Sequence, residues 1–231
     1  PMDSAFRSVY QSTLEDPETF WAQAADDVHW YRRWDQVLDD STPPFYRWFP
    51  GAQINTCFNA LDLHVEQGRG EQAALIYDSP VTQTQRTFTY AQLRDETARF
   101  AGALAGLGVT KGDRVIVYMP MVPETVIAML ACARLGAIHS VVFGGFAANE
   151  LAVRIDDAQP KVVVSASCGV EVSRVVEYKP LLDEAIALAS HAVSHCVILQ
   201  RSQAQATMQH RRDKDWNQLM LTAEPHDCVP V

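Results

Sequence analysis

The chain has 231 residues, 48% of them hydrophobic and 20% charged, which supplies enough apolar surface for a core and too little charge for a disordered tail. Nineteen Lys and Arg against 28 Asp and Glu leave a net charge of −9, a balance that opposes wholesale nucleic-acid binding and leaves any anionic ligand to a few placed groups. Five cysteines without a C-x-x-C pair argue for reduced thiols rather than a zinc site or a disulfide framework.

In chain order, residues 1–66 read as an aromatic-rich helical arm. Asp16-Pro17-Glu18 is a helix start, with Asp as N-cap and Pro in the first turn. Phe20, Trp21, Trp30, Tyr31, Trp34, Phe45, Tyr46, Trp48 and Phe49 crowd one stretch. These rings could stack on bases, but three Arg among five Asp give the wrong sign for a polyanion. Packing onto a neighbouring domain is the preferred reading. Asn55–Gln67 is predicted as a helix closed by Gly68. The first thirty residues carry acids and no apolar signal core.

Residues 67–231 carry a regular alternation. Strands are expected at Ala73–Tyr77 and Arg86–Thr89. Thr89 and Gln92 form a capping box for a helix that Gly108 ends. Strand Arg114–Met119, helix Pro123–Leu135, strand Ile138–Phe143, helix Ala147–Asp157, strand Lys161–Ala166, helix Pro180–Ala189 and strand His195–Gln200 follow. Apolar strands alternating with helices predict an α/β fold, a mainly parallel sheet with flanking helices. The greasy run Thr125–Ala148 is interrupted by Arg134, His139 and Gly144-Gly145, so it reads as buried elements rather than a membrane span. Helix Pro123–Leu135 is apolar all round and needs a second layer above it, and exposed apolar surface is expected around it. Gln203–Lys214 reads as an exposed loop before a short helix from Asp215-Trp216 to Leu221. Cys228-Val229-Pro230-Val231 offers no closing element, so the chain reads as cut rather than finished. A cytoplasmic protein with neither membrane nor nucleic-acid partner is expected.

Catalytic signatures are few. Gly68-Arg69-Gly70-Glu71-Gln72-Ala73 fits G-x-G-x-x-A but follows a helix and precedes a strand, the reverse of the dinucleotide-binding context. His139 sits in a buried strand and reads as a core imidazole, and Cys168 reads as a plain buried thiol. Two loops remain at the carboxyl ends of parallel strands, where open α/β sheets bind ligands. One is Phe143-Gly144-Gly145-Phe146, where paired glycines allow close backbone approach and a ring offers a flat face for a base. The other is Gly169-Val170-Glu171-Val172-Ser173-Arg174, where Arg174 could fork onto a phosphate or pair with Glu171 or Glu177 as a surface ion pair.

Tyr118-Met119-Pro120-Met121-Val122-Pro123-Glu124, the run from Ala131 through Arg134, His139 and Gly144 to Phe146, and Tyr178-Lys179-Pro180-Leu181-Leu182 resemble AMP-forming short-chain acyl-CoA synthetases. The Tyr10, Pro17, Phe20-Trp21 pattern is similar to the helical lead-in of that group. Gly169–Arg174 followed by Tyr178-Lys179-Pro180 is more similar to propionyl-CoA than to acetyl-CoA synthetases. The resemblance implies part of the N-terminal domain of an acyl-adenylate-forming enzyme, its first α/β subdomain incomplete. It implies activation of a small carboxylate, propionate, by ATP with Mg2+, then transfer of the acyl group to coenzyme A. Acetate or general short-chain acids are the alternative substrates. A stand-alone coenzyme A-binding or protein-interaction module is the alternative of another class.

In such enzymes Phe143, Gly144, Gly145, Glu171, Val172, Ser173 and Arg174 would lie by the adenine and 3′-phosphate end of coenzyme A. The acetate enzymes carry a second Arg where Glu171 stands, which makes Arg174 the main phosphate-binding candidate. No catalytic residue is assigned to this chain. The phosphate loop, the nucleotide-binding motifs, the metal contacts and the mobile C-terminal domain would come from the rest of the parent protein, so the piece alone is expected to be inactive.

Overall fold

A computed structural model describes residues 4–144, 147–172 and 174–231. The chain divides into two compact units, Pro1–Asn55 with Pro230–Val231, and Thr56–Val229.

In the first unit, α1 (Ser4–Glu15) precedes α2 (Pro17–Ala24). Asp16 caps α2 as its sequence predicts, its carboxylate accepting from the Thr19 N–H at 3.1 Å. Two short antiparallel strands follow, β1 (Leu38–Asp39) and β2 (Arg47–Trp48). Trp30, Trp34 and Phe49 meet edge-on or tilted with centroids 4.9–5.3 Å apart. Trp30 also donates its indole N–H to the Ala25 carbonyl at 2.8 Å, so this ring cluster is satisfied within its own unit.

The second unit opens with a helical stretch over 56–69, wound as π-helix through Phe58–Asp62 and Val65–Arg69. The hairpin β3 (Ala73–Ser79) and β4 (Thr84–Thr89) leads into α3 (Tyr90–Gly106). Its capping box is present: Thr89 Oγ1 accepts from the Gln92 N–H, and Gln92 Oε1 accepts from the Thr89 N–H at 3.0 Å. Then come β5 (Arg114–Met119), α4 (Pro123–Leu135), β6 (Ile138–Phe143), α5 (Ala148–Ala158), β7 (Val162–Ala166), β8 (Cys168–Val170), β9 (Val175–Glu177), α6 (Tyr178–Leu188), β10 (His195–Leu199), β11 (Asp213–Asp215) and α7 (Trp216–Thr222).

Five strands form one sheet in the order β11-β10-β7-β5-β6, and every pairing in it is parallel. The expected mainly parallel α/β sheet is therefore what the chain forms. The pleat divides the central strands between two cores. Val115 and Val117 of β5, Val162 and Val164 of β7 and Val197 of β10 pack with Phe100, Ile127, Ala131 and Trp216 from α3, α4 and α7. Ile116, Val163, Cys196 and Ile198 pack with Leu151, Ile155, Leu182 and Ala185 from α5 and α6. Strands covered on both faces read as unbroken apolar runs, which is why the sequence locates them so well.

Three features differ from the sequence expectation. Gln203–Lys214 is not simply an exposed loop, because residues 213–215 add the edge strand β11. Its polar sequence conceals it: the Asp213 side chain is fully buried and meets Lys179 Nζ at 2.9 Å and Arg212 Nε at 2.7 Å. Burial would raise the Asp213 carboxyl, but hydrogen bonds from Arg212, the Gln209 N–H and Lys179 hold it below its ordinary value. Next, residues 168–177, read as a strand end and a loop, form the antiparallel β8–β9 hairpin. Finally, α4 is not a source of exposed apolar surface. It lies beneath α3, and Ile127, Ala128, Ala131, Cys132 and Leu135 are buried. Exposed apolar side chains near it are instead Met121, two residues before α4, and Ile138, Val141 and Phe143 of the edge strand β6. Among the described residues, no helix is long and apolar enough to cross a membrane.

Candidate functional site

The strand order decides where a ligand can enter. From β5 the chain moves to β6 on one side, then returns through α5 to β7 on the other side of β5. Connections that leave in opposite directions from adjacent strands open a crevice at the strands' carboxyl ends. A cleft of about 480 Å³ lies there. It is lined by Met119–Val122 after β5, Phe143 and Gly144 at the end of β6, Gly169–Glu171, Arg201 after β10, and Ser79–Thr82 at the tip of the β3–β4 hairpin.

Two tyrosines hold its walls together. Tyr118 is the penultimate residue of β5, and Tyr178 begins α6. Their rings stack with centroids 5.1 Å apart. Tyr118 Oη donates to the Gly144 carbonyl at 3.3 Å, and the Tyr178 N–H donates to the Ser167 carbonyl at 3.1 Å. Burial pushes the Tyr118 hydroxyl up to about 12, with the neighbouring Tyr178 adding to it, so this side chain stays a neutral donor. Burial, then the Glu171 charge, raises the Tyr178 hydroxyl as well. Both glycine loops close on this pair. A Cβ on Gly169 would sit 2.7 Å from the Tyr178 ring and hydroxyl, and one on Gly144 would overlap the same hydroxyl. These glycines are required by close approach, since neither has a positive φ.

The second loop is the turn of the β8–β9 hairpin, closed by the Glu171 N–H donating to the Arg174 carbonyl at 2.9 Å. Arg174 Nε donates to Glu171 Oε2 at 2.8 Å. That bond and the Glu171 charge raise the Arg174 guanidinium above its ordinary value. Glu171 lines the cleft, whereas Arg174 is exposed and paired at its rim. Val172 is 93% exposed and makes no wall. Phe143 is on the cleft side and 73% exposed. Gly145 and Ser173, the other two candidates, lie outside the described residues.

The sequence reading missed Tyr178 and Arg201 as cleft residues, and Tyr118 as the ring that stacks on Tyr178. Arg201 lines the cleft while its backbone N–H donates to Ser167 Oγ at 2.8 Å and its guanidinium to the Cys168 carbonyl at 3.0 Å. It follows a strand end, and the carboxyl-end rule applied to β10 would have found it. His139 is half-buried, and burial favours its neutral form. Cys168 is fully buried.

The described lining supplies groups suited to binding. It offers a flat ring, backbone open at glycines, and two arginines for an anion. A nucleotide's Mg2+ takes mostly oxygen ligands, and the cleft's carboxylates are engaged: Glu171 by Arg174, and Asp78 by the Gln85 amide at 3.0 Å. The residues present do not fit that ion, and no step is assigned to it here.

Residues 62–230 match the family model for AMP-binding enzymes, and residues 6–60 match that for the acetyl-coenzyme A synthetase N-terminus. An uncharacterized protein of Pseudomonas aeruginosa is 55% identical over 95% of this chain and 35% of its own length. The mitochondrial acyl-CoA synthetase short-chain family member 3 of Rattus norvegicus is 46% identical over 98% of this chain and 33% of its own. A propionate–CoA ligase of Salmonella typhimurium is 47% identical over 92% of this chain and 34% of its own. Acetoacetyl-CoA synthetase from Streptomyces lividans has the same fold, with a TM-score of 0.87 at 24% identity over 100% of this chain and 35% of that one. The chain thus spans about a third of the length of the relatives it matches.

Proposed function

Because the chain belongs to the AMP-binding enzyme family, in its short-chain acyl-CoA synthetase branch, we propose that it is the N-terminal part of a propionate–CoA ligase. The full-length protein would join propionate to AMP at the expense of ATP, release pyrophosphate, and pass the propionyl group to the thiol of coenzyme A. One observation carries this chain's share of the work. The Phe143-Gly144 turn and the Gly169–Arg174 hairpin, far apart in sequence, close on one tyrosine pair at the crevice beside β5. We assign that cleft to the adenine and 3′-phosphate end of coenzyme A, with Phe143 against the base and Arg174 at the phosphate. The chain's role is to hold and orient the thiol donor, which contributes by positioning rather than by bond making. Remaining domains of the parent chain would supply the contacts to ATP and Mg2+. The five cysteines, all free thiols, fit the cytoplasmic location expected from the sequence.

The propionate assignment rests on the relative named for that substrate and on the pattern of Gly169–Arg174 followed by Tyr178-Lys179-Pro180. Full-length protein assayed for pyrophosphate release with propionate, acetate and butyrate should show its highest kcat/KM with propionate. A higher value with acetate would overturn the substrate, and no release with any short acid would overturn the ligase. The 231-residue chain alone should release none. For the site, Arg174→Ala in the full-length enzyme should raise the KM for coenzyme A several-fold and leave that for ATP unchanged. An unchanged coenzyme A KM would remove Arg174 from the site.

A further inference from the structure

Outside the proposed chemistry, four side chains of the second unit converge. Cys57 lies in the first turn of the helical stretch 56–69 and is fully buried. Asp62 follows five residues later. An α-helix would turn residue i+5 about 140° away, and the wider π winding over Phe58–Asp62 brings it back toward the face of Cys57. Arg134 of α4 grips the Asp62 carboxylate with both terminal nitrogens, at 2.7 and 3.0 Å, and sets its Nη1 3.7 Å from the Cys57 sulfur. Cys228 arrives on the extended segment after α7, whose Val229 N–H donates to the Arg134 carbonyl at 2.8 Å. Its sulfur lies 3.7 Å from Asp62 Oδ2. The Cys57 sulfur, an Asp62 oxygen and the Cys228 sulfur all lie within 4.8 Å of one another.

Two thiols and a carboxylate are a donor set a soft cation could use, but here the fourth neighbour is a guanidinium. A permanent positive charge against the sulfur and carboxylate repels a metal ion and favours a thiolate. Hydrogen bonding from Cys228, opposed by burial and reinforced by Arg134, draws the Cys57 thiol below its ordinary value. Elsewhere burial, as the largest cause, pushes the Cys132 and Cys196 thiols up to about 12, which keeps them inert. Cys228 is only half-buried, so the pair has a member that reagents can reach.

We propose that Cys57 and Cys228 form a reversible disulfide, with a low-molecular-weight disulfide such as oxidised glutathione as the oxidant. The Cys57 thiolate takes the proton of Cys228 as the Cys228 sulfur attacks one sulfur of the small disulfide. That bond breaks, and the first small thiol leaves as a thiolate that takes a proton from water. The Cys57 sulfur then attacks Cys228, the mixed disulfide breaks, and the second small thiol departs with the proton Cys57 had held. Two electrons pass from the cysteine pair to the oxidant, which is reduced to two thiols with one proton from the pair and one from water. The sulfurs must close to about 2 Å, a movement within reach of side-chain rotation and a small shift of the extended segment. The bond would tie that segment to the helical stretch 56–69 within the second unit.

The test is peptide mapping of full-length protein treated with oxidised glutathione, thiol-blocked and digested without reductant. The expected product is a peptide joining Cys57 to Cys228 that dithiothreitol releases. It should be absent in Cys228→Ser, and Cys57→Ser should stop at a glutathione adduct on Cys228. Folded wild-type protein that keeps both thiols free, or that halts at the Cys228 adduct, overturns the proposal without needing either variant. Stoichiometric zinc retained by both thiols would also overturn it.

Discussion

Tyr178 does more for the candidate site than any residue the sequence marked for binding. Its ring is the surface on which both glycine loops rest, and a methyl group at either glycine has nowhere to go. Gly144→Ala should therefore cost about 1–3 kcal/mol of stability, the usual range for overpacking, and should raise the KM for coenzyme A as the turn is displaced. Thermal unfolding and initial-rate kinetics check the two halves of this expectation. A variant with unchanged stability and kinetics would mean that the turn is not set by the tyrosine. Both glycines stand in the sequence with no sign of what crowds them, since the crowding group lies 34 residues beyond one and nine beyond the other. Arg174 shows the same limit. Its spacing from Glu171 allowed a phosphate contact or a surface pair, and without a ligand the carboxylate three residues away is its partner.

At the scale of elements, α4 shows how an apolar helix carries a charge. Arg134 is buried in its last turn, where a cation also suits the carbonyl end of the helix, and Asp62 answers it with a bidentate pair. Removing one member leaves the other charge buried without compensation. Asp62→Ala should thus destabilise the protein by about 3–5 kcal/mol, readable as a lowered denaturation midpoint. Loss of less than about 1 kcal/mol would show that water or another acceptor takes over. Helix boundaries were legible because they depend on near neighbours: the Asp16 cap, the Thr89–Gln92 box and Pro123 all act within four residues. Strand β11 was not, because its charges become acceptable only when Lys179 and Arg212 are folded against Asp213.

For the molecule as a whole, β6 forms one edge of the five-stranded sheet. Strand β6 pairs with β5 on one side only and presents Ile138, Val141 and Phe143 to solvent, a pattern that invites association. The 231-residue chain should self-associate with rising concentration in sedimentation velocity, and Val141→Lys should reduce it. A monomer at all concentrations would show that the edge is protected. Sequence alone determined the parallel α/β class, the order and ends of most helices, the family resemblance and the two loops worth watching. Each of these is written in periodicity, capping residues or contiguous motifs. Only the tertiary structure decided that β7 crosses back beside β5 to open the crevice, that one tyrosine sets both loops, and that Cys57 meets Cys228. Those pairings join residues separated by 9 (Gly169 to Tyr178) up to 171 (Cys57 to Cys228) positions, and a one-dimensional pattern carries no record of which of them the folding chain brings together.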